Sequence, residues 1–101
     1  MEIIDLGTLT LQTFEPLVGT VFSVTFAGEP VALVISGIRS HGWSRPGGRE
    51  AFTVSFRGPR DPLLNQGTYT LGAEAMGRLD GLFLVPVGRD AGGSHYEAVF
   101  T

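Results

Sequence analysis

The chain has 101 residues, a formal net charge of −3, no cysteine, and seven basic residues that are all arginine. Its length suits one domain, 1–101, because either half alone would be too small to bury a useful core. Without cysteine there are no disulfides, thiolate metal sites or cysteine nucleophiles, and without lysine there is no Schiff-base or phosphate-loop lysine. The acidic balance argues against nucleic acid as a partner, since phosphate neutralisation needs a clustered positive surface.

Glu2 to Leu6 reads as a short first strand or an arm lying on the body. The start is acidic where a secretory leader is basic, and the longest aliphatic run, Val31 to Ile35, falls far short of the ~20 residues that cross a bilayer. No signal peptide and no membrane partner are expected. The expected compartment is the cytoplasm as synthesised, with leaderless export in an assembly as the other route. Thr10, Leu11, Phe14, Leu17 and Val18 recur at helical spacing, with Thr10 or Thr13 as N-cap and Gly19 as the stop. Pro16 keeps this helix short, and its expected task is to plug one end of the domain with Phe14 and Leu17.

Two near copies follow, FSVTFAG at Phe22 to Gly28 and FTVSFRG at Phe52 to Gly58. Alternation with period two puts the large apolar side chains on one face of a strand and the hydroxyls of Ser23, Thr25, Thr53 and Ser55 on the other. Such a hydroxyl row reads as a solvated face, with a flat glycan surface as the functional alternative. Ala27 to Pro30 makes a tight reversal into a strand over Val31 to Ile38, where Gly37 marks a bulge. Arg39 to Glu50 reads as a long loop, Gly58 to Pro62 as a second, and Thr68 to Leu71 as a short strand with Tyr69 and Leu71 on one face. Gly72 to Asp80 is turn-rich. Pro86 inside the strand Leu82 to Val87 requires an edge, a strand end or a bulge. Arg89 to Ser94 is a glycine-rich reversal into a last strand, His95 to Phe100. The predicted fold is all-β, a small antiparallel barrel or sandwich of six to seven strands with a short N-terminal helix.

The segments FEPLVG at Phe14 to Gly19, FTVSFRGP at Phe52 to Pro59, QGTYTL at Gln66 to Leu71, LFLVPVGRD at Leu82 to Asp90 and YEAVF at Tyr96 to Phe100 carry a family pattern. The chain resembles a family of short single-domain bacterial proteins of unknown function. That resemblance implies an all-β fold over nearly the whole chain and a loose association with genes for phage-tail-collar-like proteins. It supplies no catalytic residues, because the shared positions are apolar strand residues, glycines and prolines.

The segment of greatest chemical interest is Arg39 to Glu50. It holds the only tryptophan, one of two histidines and three of the seven arginines. Tryptophan beside arginine is the composition of interaction hot spots, so Arg39, His41, Trp43, Arg45 and Arg49 are the candidate binding residues. The plainer alternative folds Trp43 back onto the core and leaves the arginines solvated. His41 and His95 are too few for a zinc site, and their available carboxylates, Asp61, Asp90 and Glu97, lack ligand spacing. Ser40 and Ser94 have no nucleophile-elbow sequence around them. Arg89 to Gly93 lacks the carboxylate ladder of a calcium loop and reads as a plain turn.

The expected function is that of a non-enzymatic structural or interaction module without a cofactor, assembling with itself or with a phage-tail-like protein partner. One alternative is a small carbohydrate- or ligand-binding β-domain that reads its ligand through the Arg39 to Glu50 segment, with Trp43 and Tyr69 or Tyr96 as stacking surfaces. The other is a hydrolase using His41 or His95 with a carboxylate.

Overall fold

The computed structural model describes residues 3–101. Its elements are β1 (Ile3–Ile4), a 3-10 turn (Leu6–Thr8), α1 (Leu11–Phe14), a second 3-10 turn (Glu15–Leu17), and strands β2 (Val21–Phe26), β3 (Glu29–Ser44), β4 (Glu50–Gly58), β5 (Gly67–Ala73), β6 (Gly77–Asp90) and β7 (Gly93–Phe100). The sheet order β1-β6-β5-β2-β3-β4-β7 closes on itself through an additional β6–β7 pairing. Six antiparallel strands thus form a ring, and β1 adds a parallel pairing on β6 at Ile3↔Arg78 and Ile4↔Leu79. Glu2, which the sequence places in the first strand, lies outside the described residues. A single sheet closed into a ring removes most of the exposed strand edges that an open sheet would carry.

Alternation decides what the ring encloses. Phe22 and Val24 of β2 and Phe52, Val54 and Phe56 of β4 are fully buried, while Ser23 and Thr25 face outward. β2 and β4 both pair with β3, so the two near-identical strands flank one shared neighbour. Phe22 meets Phe56 edge-on at 6.1 Å between ring centroids. Phe52 stacks on Phe100 at 4.7 Å, and Phe14 of α1 tilts onto both at 5.9 and 5.4 Å. Burying each of these rings stabilises the fold by roughly 1.5–3 kcal/mol. The expected plug is present, with Phe14 fully buried and Leu17 half-buried. Thr10 caps α1, its hydroxyl accepting from the Thr13 N–H while the Thr13 hydroxyl accepts from the Thr10 N–H.

The two-residue turn Ala27-Gly28 has φ of 54° and 81°, the left-handed pair that matches the twist of a hairpin. Gly37 lies at a register shift in β3, and the ladder also shifts between Pro86 and Gly88, where a bulge accommodates the proline within β6.

Four expectations need correction. The loop expected over Arg39 to Glu50 contracts to residues 45–49, since β3 runs on to Ser44 and β4 starts at Glu50. Gly72 to Asp80 is mostly strand, with a turn only between Ala73 and Gly77. The Arg89 to Ser94 reversal contracts to Ala91 and Gly92. In each case cross-strand pairing supplies the hydrogen bonds that keep a locally weak, glycine-containing sequence extended. Lastly, Thr53 is buried and Ser55 half-buried, so the β4 hydroxyls do not form a solvated row. A neighbouring side chain, His41, closes over Thr53.

Candidate functional site

The extended β3–β4 hairpin carries all five candidate residues, and its shape follows from a mismatch in its ladder. Ser40 pairs with Phe52 and Ser44 with Glu50, so three residues of β3, His41 to Trp43, lie opposite Ala51 alone. Gly42, at φ 76°, allows the bulge to turn. Ala51 is buried beneath this excess chain, while Trp43 is pushed outward and remains 49% exposed.

Contacts of four side chains fix the hairpin. Ser40 Oγ donates to the Glu50 carboxylate and also accepts from the Gly42 N–H at 3.1 Å. His41 Nε2 lies 2.6 Å from Thr53 Oγ1. Arg45 Nη2 donates to Thr101 Oγ1 at 2.9 Å, which ties the tip to the C-terminal end of β7. Arg49 Nη1 donates to the carbonyls of Leu6 and Leu9, both at 2.7 Å, and its guanidinium lies 5.4 Å from the Phe100 ring centroid. Arg39 is exposed on the outer face, in the row Arg39–Thr53–Val99 defined by the β3–β4 and β4–β7 registers. The structure therefore divides the five by task. His41, Arg45 and Arg49 brace the hairpin, and Trp43 and Arg39 are its outward groups.

The second histidine lies elsewhere. His95 pairs with Arg57, and His41 lies against Thr53, four positions away along β4. His95 Nε2 is 3.0 Å from Asp90 Oδ2 in the β6–β7 hairpin. The His95 contact and the Gly92 N–H, in that order, hold the Asp90 carboxyl below the usual carboxylate range. Asp61, another of the three carboxylates weighed as histidine partners, pairs instead with Arg89. The buried Ser94 hydroxyl donates to the Arg60 carbonyl at 3.1 Å, and Ser40 is engaged by Glu50. Among the described residues no group of three or more His, Asp or Glu gathers to hold a metal ion, and no helix is long and apolar enough to cross a membrane.

Of the two tyrosines weighed beside Trp43, Tyr96 is buried with its hydroxyl accepting the Leu64 N–H at 2.9 Å. Tyr69 is half-buried, donates to the Asn65 carbonyl at 2.6 Å and packs against Phe26. It lines a different feature, an open groove of about 420 Å³ on the outer face of β2, β5 and β6 bounded by Ser23, Thr25, Thr68, Tyr69, Thr70, Gly72 and Arg78. The sequence signal for this groove was half visible. Ser23 and Thr25 stand out as hydroxyls on alternate positions, but their juxtaposition with Thr68, Thr70 and Arg78 depends on which strands the ring makes neighbours.

No curated protein and no solved structure matches the chain. A family model does match it, over residues 9–100, and the chain belongs to that family, a domain of unknown function designated DUF6916.

Proposed function

We propose that this protein is a non-enzymatic interaction module that assembles with copies of itself, and that the tip of the β3–β4 hairpin is its docking element. One observation carries the reading: a half-exposed tryptophan stands on a hairpin already braced at Ser40, His41, Arg45 and Arg49. A large amphipathic side chain gives most binding energy when its support is rigid before contact, because little conformational entropy remains to be lost. Other exposed apolar side chains extend the docking surface around the ring. Val99 follows Arg39 and Thr53 in the outward row, and Phe83 and Val87 project from β6, which pairs with β7. A repeated, tail-like assembly is the setting that the family resemblance suggests, and there a second protein partner would use the same tip.

The experiment is sedimentation over a concentration series for the native protein and for Trp43→Ala, with thermal melts of both. Concentration-dependent association that weakens in the variant at unchanged melting temperature supports the proposal. Monomer behaviour throughout contradicts it.

A further inference from the structure

The groove on β2, β5 and β6 has a structural origin that also defines what fits it. The β2–β5 ladder consists of two pairs, Ser23↔Gly72 and Val24↔Leu71. Both strands continue beyond it, β2 through Thr25 to Phe26 and β5 back through Thr70 to Gly67, and the groove opens where the ladder stops. One transverse row reads Ser23, Gly72, Arg78, from Ser23↔Gly72 and Gly72↔Arg78. Gly72 therefore leaves a gap between a hydroxyl and a guanidinium. Thr25, Thr68 and Thr70 line the remainder.

The lining chemistry is specific. Four aliphatic hydroxyls can each donate and accept, which suits a ligand whose own groups do both. Arg78 does not present a bare positive charge, because its Nε is 3.0 Å from Asp80 Oδ1 and its Nη2 donates to Asp80 Oδ2 at 3.3 Å. The Nε–H is buried and points away from a proper hydrogen-bond line to that carboxylate, so the pair is a charge contact rather than a closed bidentate bond. Tyr69 borders the groove between Thr68 and Thr70, but its ring turns to the core side, where it packs against Phe26 and sits opposite the buried Leu82. A compensated charge beside a row of hydroxyls favours a neutral polyhydroxyl ligand over an anion or an apolar molecule. The volume lies within the range of small-molecule sites, about 300–1,000 Å³, and the open form admits a chain passing along the surface.

We infer that this groove binds a neutral saccharide, with Gly72 as its floor and Ser23, Thr25, Thr68, Thr70 and Arg78 reading the sugar hydroxyls. The site is separate from the hairpin tip, and its occupancy does not depend on self-association.

The test is amide chemical-shift mapping of the native protein titrated with neutral oligosaccharides (maltotriose, cellotriose and chitotriose) and, in parallel, with trigalacturonate. The expected result is saturable shifts at Ser23, Thr68, Thr70 and Gly72 with a neutral sugar. Gly72→Val, whose side chain would occupy the gap, should weaken binding by roughly tenfold or more, about 1.4 kcal/mol per factor of ten. Thr70→Val removes one hydroxyl at nearly constant shape and should weaken it less, which keeps the test sound should Gly72→Val fold poorly. No saturable shift in the groove, shifts confined to the Trp43 hairpin, or a response to trigalacturonate alone would each overturn the inference.

Discussion

The Arg49 guanidinium lies over the ring of Phe100, 5.4 Å from its centroid, and from there donates to two carbonyls of the N-terminal segment, those of Leu6 and Leu9. One side chain thus ties the turn of the β3–β4 hairpin to the aromatic cluster of Phe14, Phe52 and Phe100 and to the segment leading into α1. Charge-assisted hydrogen bonds contribute about 1.5–3 kcal/mol, and a cation over an aromatic face about 0.5–1 kcal/mol or more. Arg49→Leu is expected to destabilise by about 2–3 kcal/mol in urea unfolding. Lysine restores the charge but not the planar fork that reaches both carbonyls, so Arg49→Lys should recover less than half of the loss.

Gly93 is required by a close approach of β4 and β7. Its φ is 130°, and a Cβ there would overlap the Gly58 carbonyl oxygen, a backbone atom that cannot rotate aside. Gly93→Ala is expected to cost at least about 2 kcal/mol, with strain and overpacking acting together. At Gly58 the added Cβ would meet the Leu33 Cδ2 at 2.7 Å, the end of a movable side chain. Gly58→Ala should therefore be the milder variant, and denaturant midpoints measured side by side will order the two.

Ala27 is the one non-glycine residue among those described with a left-handed φ, 54°, in the β2–β3 turn. Asparagine adopts that conformation more readily than alanine, and Asn-Gly is a preferred pair for this turn. Ala27→Asn is expected to stabilise by about 0.5–1 kcal/mol without changing the slope of a urea transition.

Asp90 predicts an acid-limb effect. Its folded-state pKa lies below the ordinary value because of His95 and the Gly92 N–H, so the folded state favours the carboxylate. That contribution is fully present above the unfolded pKa, about 3.9, and is lost as pH falls through the lower folded value. Urea midpoints followed from pH 6 downward should therefore show native protein and Asp90→Asn differing most at the upper end and converging in the acid range. Asp90 is solvent-exposed, so high salt should reduce the difference.

The parts of the fold legible in the sequence are those governed by local periodicity. Alternation in Phe22 to Phe26 and Phe52 to Phe56 marks which large side chains are buried, Thr10 is one of the two threonines that could cap the helix, and Pro86 asks for an edge, a strand end or a bulge, of which the structure has the bulge. Arg39 to Ser44 was not legible as strand, because Gly42 and the polar neighbours resemble a loop and only pairing with β4 keeps them extended. The burial of Thr53 is not legible for a related reason. Alternation puts it on the outer face, but it carries no information that the His41 bulge folds over that face. The candidate segment is legible as a composition, but its division into bracing and outward residues needs contacts spanning tens of residues, such as Arg49 with Leu6 and Arg45 with Thr101. The groove depends on the adjacency of β2 and β5, separated by β3 and β4 in the chain, and no local pattern records it.

The central claim is that Trp43 on its braced hairpin is a docking element and not a packing residue. Sedimentation equilibrium of the native protein and Trp43→Ala over a wide concentration range tests it most directly. The account predicts a native mass that rises above the 10.8 kDa of one chain with concentration, and a variant that stays near that value while melting at the same temperature. A native protein that remains at 10.8 kDa throughout, or a variant that associates as strongly as the native chain, would contradict it.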